Sequence, residues 1–272
     1  MGGMRIEMWA DVANPWTFVA AERLRVALAV ADVAAEVVWR PLLTDAADPD
    51  APRDALRLLL LAEERGGAEL QGRVAAELLA SHDVRDAGEL AAIADRAGFP
   101  EGGALLASED SADAGRARLR ELLLIGKARG ISVSPTLAIG DRLLEFAMSP
   151  ATIGEFLVEP ADGARGLPAE VQRLRWVEEL MALSDPLGAL VVLEPLLAEH
   201  GQDPNIRRVA ASAYFASAQL GRARQVLEAT LADYAADSYA RLMLGRTLER
   251  QGRGAEAEKH LRMAAAMTPE YA

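Results

Sequence analysis

Asn14, Pro15, Trp16 and Thr17 stand where a short extended run gives way to a helix. The first turn of a helix has free N–H groups and the positive end of its dipole, so it favours a thiolate or another anion. The side chains offered here are an amide, a proline ring, an indole and a hydroxyl. An amide can donate one hydrogen bond to an anion, but it has no basic function. No other stretch offers comparable chemistry. His82, His200 and His260 are scattered, with no metal-ligand spacing and no cysteine beside them, so no metal site is expected. Gly66-Gly67 and Gly102-Gly103 lack the fingerprint of a phosphate-binding loop, and no cofactor is expected.

The elements that must position these residues follow from periodicity. Arg5 to Ala10 reads as a strand, with Ile6 and Met8 alternating with polar neighbours. Thr17 to Ala31 places Phe18, Ala21, Leu24 and Leu28 at helical spacing, and Pro15 is tolerated because the first helical N–H has no partner. Ala34 to Arg40 is a second strand, which makes a parallel βαβ unit. From Arg53 to Arg129 the pattern is helical, with breaks at Gly66-Gly67, Ser81-His82-Asp83, Gly98-Phe99-Pro100 and Gly102-Gly103. Thr136 to Ile139 and Leu143 to Phe146, joined by Gly140-Asp141-Arg142, read as a hairpin.

"IEMWADVANPWTFVAAERLRVAL" resembles the opening of DsbA-family thioredoxin-fold proteins, in particular FrnE-like dithiol-disulfide isomerases. The family reads Asp-x-x-Cys-Pro-Trp-Cys there, and Asn14 and Thr17 occupy the two cysteine positions. "VRDAGELAAIADRAGF" resembles a helix of the family's insertion, and "ARLRELLLIGKARGISVSPTLAIGDRLLEFAMSPATIGEFL" resembles its closing segment. The resemblance covers roughly residues 4–158. It implies an α/β thioredoxin-like fold, and it puts a cis-proline at Ser134-Pro135, facing Asn14 and Thr17 and offering backbone groups to an extended ligand.

Three readings of the degenerate site follow. It is a chemically inactive surface that holds a peptide or partner near Pro135. Alternatively it binds an exogenous thiol such as glutathione, because "NPWTFVAAERL" is similar to the opening of kappa-class glutathione transferases and 2-hydroxychromene-2-carboxylate isomerases, which carry a serine at the position of Asn14. In the third reading Asn14 merely caps the helix.

Composition narrows the choice. The chain of 272 residues contains no cysteine. Disulfide exchange needs a thiolate, so this chain cannot carry it out by itself. Its formal charge is −12, of which −10 lies in residues 1–167 and −2 in 168–272. That excess of acid disfavours nucleic acid and anionic lipid as partners. No apolar run approaches the ~20 residues that span a bilayer. Met1-Gly2-Gly3-Met4 has no basic or apolar leader, which reads as cytoplasmic.

"EPADGARGLP", residues 159–168, has the composition of a linker. Beyond it the sequence repeats every ~34 residues, the tetratricopeptide period. Ala189, Ala223 and Ala257 align, Leu193, Leu227 and Leu261 follow four residues later, and Val177, Ala211 and Gly245 fill the small position of each first helix. Leu180, Tyr214 and Leu248 fill its large position. Such arrays hold partners in a groove lined by the first helices, here with Glu178, Asn205, Arg208, Ser212, Arg246 and Arg250. The three arginines suit a carboxylate or an acidic segment. Met263, Ala266 and Met267 fall on or near the face a further repeat would cover, and from this a homodimer through the C-terminal end is expected.

The expected organisation is therefore a thioredoxin-like domain at 1–158 with a helical insertion at about 53–129, a linker at 159–168 and three repeats at 169–272. The expected function is a redox-inactive protein- or peptide-binding adaptor or holdase-type chaperone. The alternative is a glutathione-transferase-kappa or isomerase-like enzyme that uses an exogenous thiol.

Overall fold

The computed structural model describes residues 4–45, 47–108, 114–159 and 167–271. The chain forms two compact units, Met1–Gly166 and Leu167–Ala272. The expected linker falls, at residues 160–166, outside the described residues.

The first unit is built on β1 (Met4–Ala10), α1 (Pro15–Ala31), β2 (Ala35–Pro41), a helical segment of α2 (Arg53–Ala80), α3 (Ala87–Arg96), α4 (Gly102–Ala107) and α5 (Ala114–Ala128), and then β3 (Thr136–Ile139), β4 (Arg142–Glu145) and α6 (Pro150–Val158). The strand order is β2-β1-β3-β4, with β1 and β2 parallel and the other neighbours antiparallel. A βαβ unit followed by a ββα unit in one sheet of this order is the thioredoxin-like topology. The register sets Ile6 against Val37, and Met8 against Trp39 on one side and Leu137 on the other. Ile6, Met8 and Trp9 are all buried, which makes β1 the centre of the sheet. β2 lies at one margin, and the buried side chain of Gln71 accepts from the Trp39 N–H at 2.8 Å and donates to the Trp39 carbonyl at 3.0 Å.

Three expectations need correction. The buried face of α1 is Thr17, Ala20, Leu24 and Ala27, and Phe18 is half exposed. Apolar residues surround this alanine-rich helix on nearly every side, so their spacing did not fix its rotation; the tie from Thr17 to the strand end does. Gly102 and Gly103 do not break a helix but open α4, because a Cβ on either would meet Phe99 and Ala94, or Ala91, at under 3.0 Å. The hairpin turn is Gly140-Asp141, and β4 ends at Glu145, with Phe146 leaving it at a φ of 67°.

A charged network braces the sheet. Arg40, buried on β2, pairs with Glu63 at 2.7 Å and Glu7 at 3.5 Å, and Glu7 also takes Arg129 and the Trp9 indole N–H. Burial works to raise the Glu7 pKa. The Arg129 guanidinium, by charge and hydrogen bond, then Arg40 and the Trp9 indole outweigh it and hold the carboxyl below the ordinary glutamate value. A depressed folded pKa gives stability that is present above the unfolded value and lost as pH falls through the folded one. Glu7→Gln is expected to cost about 2 kcal/mol at pH 7. The gap from the parent should narrow below about pH 4.5, the unperturbed value. Urea midpoints at pH 7 and pH 3 check this, and a gap that does not change with pH contradicts it.

The second unit consists of three helical hairpins: α7 (Ala169–Ala182) with α8 (Pro186–His200), α9 (Pro204–Ala216) with α10 (Leu220–Asp233), and α11 (Ser238–Arg250) with α12 (Gly254–Met267). Asp185, Asp203 and Asp237 cap α8, α9 and α11 through their side chains, which sets where these helices start. Val177, Ala211 and Gly245 are buried, and at Gly245 the paired helix comes close enough that a Cβ would lie 2.6 Å from Leu261 Cδ2. Among the described residues no helix is long and apolar enough to cross a membrane.

Candidate functional site

The site forms where the C-terminal end of β1, the first turn of α1 and the turn before β3 converge. Pro15 supplies the first helical residue, and Asn14 caps α1 in an extended conformation, its Oδ1 accepting from the Trp16 N–H at 3.0 Å. The Asn14 Nδ2 donates to the Ser134 carbonyl at 3.0 Å. Asn14 therefore spans the gap between helix and turn. The Ser134–Pro135 peptide bond is cis. The Ser134 hydroxyl accepts from the Asp11 N–H at 2.9 Å. Thr17 is fully buried, its Oγ1 donating to the Asp11 carbonyl at 2.7 Å and lying 3.4 Å from the Ser134 Oγ. Asp11 is only 8% exposed; its carboxylate accepts from the Ala13 N–H at 2.9 Å and, more weakly, from Thr44 Oγ1 at 3.3 Å.

Chemically, this arrangement is occupied by its own side chains. The Trp16 N–H is taken, the Asn14 amide is committed on both ends, and the Thr17 hydroxyl is withdrawn from solvent. Large apolar side chains are exposed on two elements beside this closed centre, the first turn of α1 and the segment after β4. Trp16 is 60% exposed and Phe146 is 60% exposed, with Met148 beside it in sequence also exposed. The Phe146 N–H donates to the Pro135 carbonyl at 2.9 Å, and Arg23 on α1 donates to the Ala147 carbonyl, so the 146–148 segment lies along α1 and against the cis turn. Sequence reasoning found Asn14, Pro15, Trp16, Thr17, Ser134 and Pro135 but missed Phe146 and Met148. The one available signal was a pair of large apolar residues just after a strand that should alternate.

The groove residues of the second unit stand differently from the expectation. Arg208 gives Nε and Nη2 to Asp237 Oδ2 at 3.1 and 2.9 Å. Arg246 pairs with Glu249 at 3.1 Å on its own helix. Arg250 donates to the Phe215 carbonyl at 2.8 Å and lies 4.5 Å over the Phe215 ring. Ser212 Oγ lies 3.1 Å from the Tyr239 hydroxyl, and Asn205 is exposed at the start of α9. The three arginines therefore do not converge on a common point. They tie α9 to α11, or bond within α11.

Met263, Ala266 and Met267 are exposed at the end of the array. Their counterparts one repeat earlier, Ala229, Ala232 and Asp233, are exposed although α11 follows them. These positions are not the ones a succeeding repeat covers. Thr230 is covered, and its counterpart Ala264 is already buried. Among the described residues no group of three or more histidine, cysteine, aspartate or glutamate side chains is placed to hold a metal.

Residues 180–241 match the tetratricopeptide repeat family. The match spans α8, α9 and α10 with the adjoining ends of α7 and α11, and the helical hairpins of the second unit are consistent with a tetratricopeptide array. Among solved structures, the chain is similar to a probable DsbA oxidoreductase from Streptomyces coelicolor, with 21% identity over 59% of this chain and 93% of that one and a TM-score of 0.49. No curated protein sequence matches the chain significantly. The thioredoxin-like assignment of the first unit rests on its strand order and directions.

Proposed function

We propose that this chain is a redox-inactive, protein-binding adaptor of the holdase type, taking extended segments at the Trp16–Pro135–Phe146 surface and protein partners on the tetratricopeptide array. One observation carries the reading. The polar centre is closed by Asn14, while large apolar side chains around it are left exposed. Exposed aromatic residues beside a fixed turn suit binding rather than bond-making. In the array, helices joined by Arg208–Asp237 and Arg250–Phe215 support a preformed groove.

Reduction of insulin by dithiothreitol tests this directly. The full chain is expected to delay or suppress the turbidity of the released B chains at stoichiometric ratios, and Trp16→Ser with Phe146→Ser to lose that effect. Acceleration of turbidity above the uncatalysed rate overturns the reading.

The alternative, an enzyme using an exogenous thiol, has less in its favour. A bound thiolate needs donors at the helix N-terminus, and there the Asn14 amide gives one N–H to Ser134 and the Trp16 N–H is taken by Asn14 Oδ1, which leaves one amide N–H and no base. Glutathione titrated calorimetrically into the chain is therefore expected to give no binding heat. A homodimer through α12 belongs to the same reading and rests on the exposed Met263 and Met267, whose counterparts in the preceding repeat, Ala229 and Asp233, are exposed as well. A cytoplasmic setting suits a chain that needs no disulfide.

A further inference from the structure

We propose that copies of this chain associate head to tail through the two ends of the repeat array, the open face of α12 in one copy covering the open face of α7 in the next. The inference stands apart from what the first unit binds. Within the array, α8 packs on α9 and α10 packs on α11. Ile206, Ala210 and Ala213 on α9 are buried, and so are Ala240, Leu244 and Thr247 at the same repeat positions of α11. At α11 the cover is explicit: Leu227 of α10 shares one apolar cluster with Ala240 and Leu244, and Val226 and Leu231 pack against it. Carried back one repeat, the covered row becomes Gln172, Trp176 and Glu179 on α7, and none of these three residues is buried. Leu183, one turn further along the same row, is 52% exposed. Carried forward one repeat, the covering residues become His260, Leu261 and Ala265 on α12. Leu261 is partly exposed there, whereas its counterparts Leu193 and Leu227 are buried. Among the described residues, α7 is the first helix of its unit and only a 3-10 turn, Pro269–Tyr271, follows α12.

Two observations make a second copy the occupant. First, the open faces are related by the repeat, so they are the two halves of an interface that the chain already forms within itself at α8–α9 and α10–α11. Second, each open face carries a ring nitrogen that is shielded from solvent and has no partner, Trp176 Nε1 on α7 and His260 Nδ1 on α12. Their repeat counterparts, Leu244 and Val226, pack in one cluster. Stacking therefore sets the indole, which only donates, beside an imidazole that accepts in its neutral form. Glu179 falls towards the first turn of the covering helix, because helices joined by short turns run antiparallel, and α12 leaves that turn without a side-chain cap. A contact between unlike faces leaves one of each free, so association continues beyond a pair unless the rotation closes a ring.

Sedimentation of the full chain at pH 8 tests this, with one charge placed on each face. Gln172→Arg blocks α7 and Ala265→Arg blocks α12. His260→Glu is a second α12 block, and urea midpoints show which variants keep the parent's stability. The weight-average mass of the parent is expected to rise above the monomer with concentration, up to about 100 µM. Each blocked variant alone should stay a monomer, because every pairing then includes one blocked face. An equimolar mixture of an α7-blocked and an α12-blocked chain should recover a dimer and stop there, since a single pairing of intact faces remains. A parent that is a monomer throughout overturns the proposal. So does a mixture no heavier than its components. A Gln172→Arg chain that still dimerises also overturns it, and points to two α12 faces meeting symmetrically.

Discussion

Asn14→Cys combined with Thr17→Cys is expected to turn a chain with no thiol chemistry into one that catalyses insulin reduction by dithiothreitol, at least about tenfold above the uncatalysed rate. The two positions lie one helical turn apart at the start of α1, where side chains three residues apart are neighbours at a spacing a disulfide bridges. A cysteine at position 14 would meet the helix N-terminus, which lowers thiol pKa and raises the thiolate fraction. It would also remove the amide that closes the Ser134 carbonyl, so an incoming chain finds that acceptor free. Thr17→Cys forfeits the hydrogen bond to the Asp11 carbonyl, at a cost of about 1 kcal/mol. The parent and each single variant are the controls. A double variant that forms its disulfide, as mass spectrometry reports, yet leaves the insulin rate unchanged would mean that more than sulfur separates this site from a working one.

The second large effect is on stability. Gly126, on α5, lies where a Cβ would sit 2.9 Å from Trp9 Cζ3 and 3.3 Å from Cε3. The indole has no room to retreat: Trp9 is 1% exposed, its N–H is bonded to Glu7, and Arg129 lies over its ring at 5.6 Å. Gly126→Val should therefore destabilise the first unit by about 2–3 kcal/mol, overpacking outweighing the small gain in helix propensity over glycine. In the full chain, near-ultraviolet circular dichroism during urea unfolding should show the transition of this unit shifted to lower denaturant. An unchanged midpoint would mean that α5 slides away from β1 at no cost.

The elements around the site were legible because each carries a local signal. β1 alternates, α1 opens with Asn14-Pro15, and the array repeats its small residues at Ala189, Ala223 and Ala257. Contact identity was less legible. Phe18 has the hydrophobicity of a core residue, but buried Thr17 sets the rotation of α1 and leaves Phe18 half in water. Arg208, Arg246 and Arg250 share a groove by spacing, yet the partners that occupy them, Asp237, Glu249 and the Phe215 carbonyl, depend on how neighbouring helices pack. Pro135 was placed by resemblance. Phe146, which gives the surface its character, is visible only once the hairpin has ended one residue earlier than its pattern suggested.

Gln71 has a consequence for the open edge of the sheet. By taking both the N–H and the carbonyl of Trp39, it removes a docking register from the β2 margin. Any extended chain that would prolong the sheet there by strand addition finds that rung already filled. The opposite margin, β4, is four residues long and neighbours β3, the strand that begins just after Pro135. Strand addition is thus hindered at the β2 margin, and the short β4 leaves little edge on which an aggregate could be built.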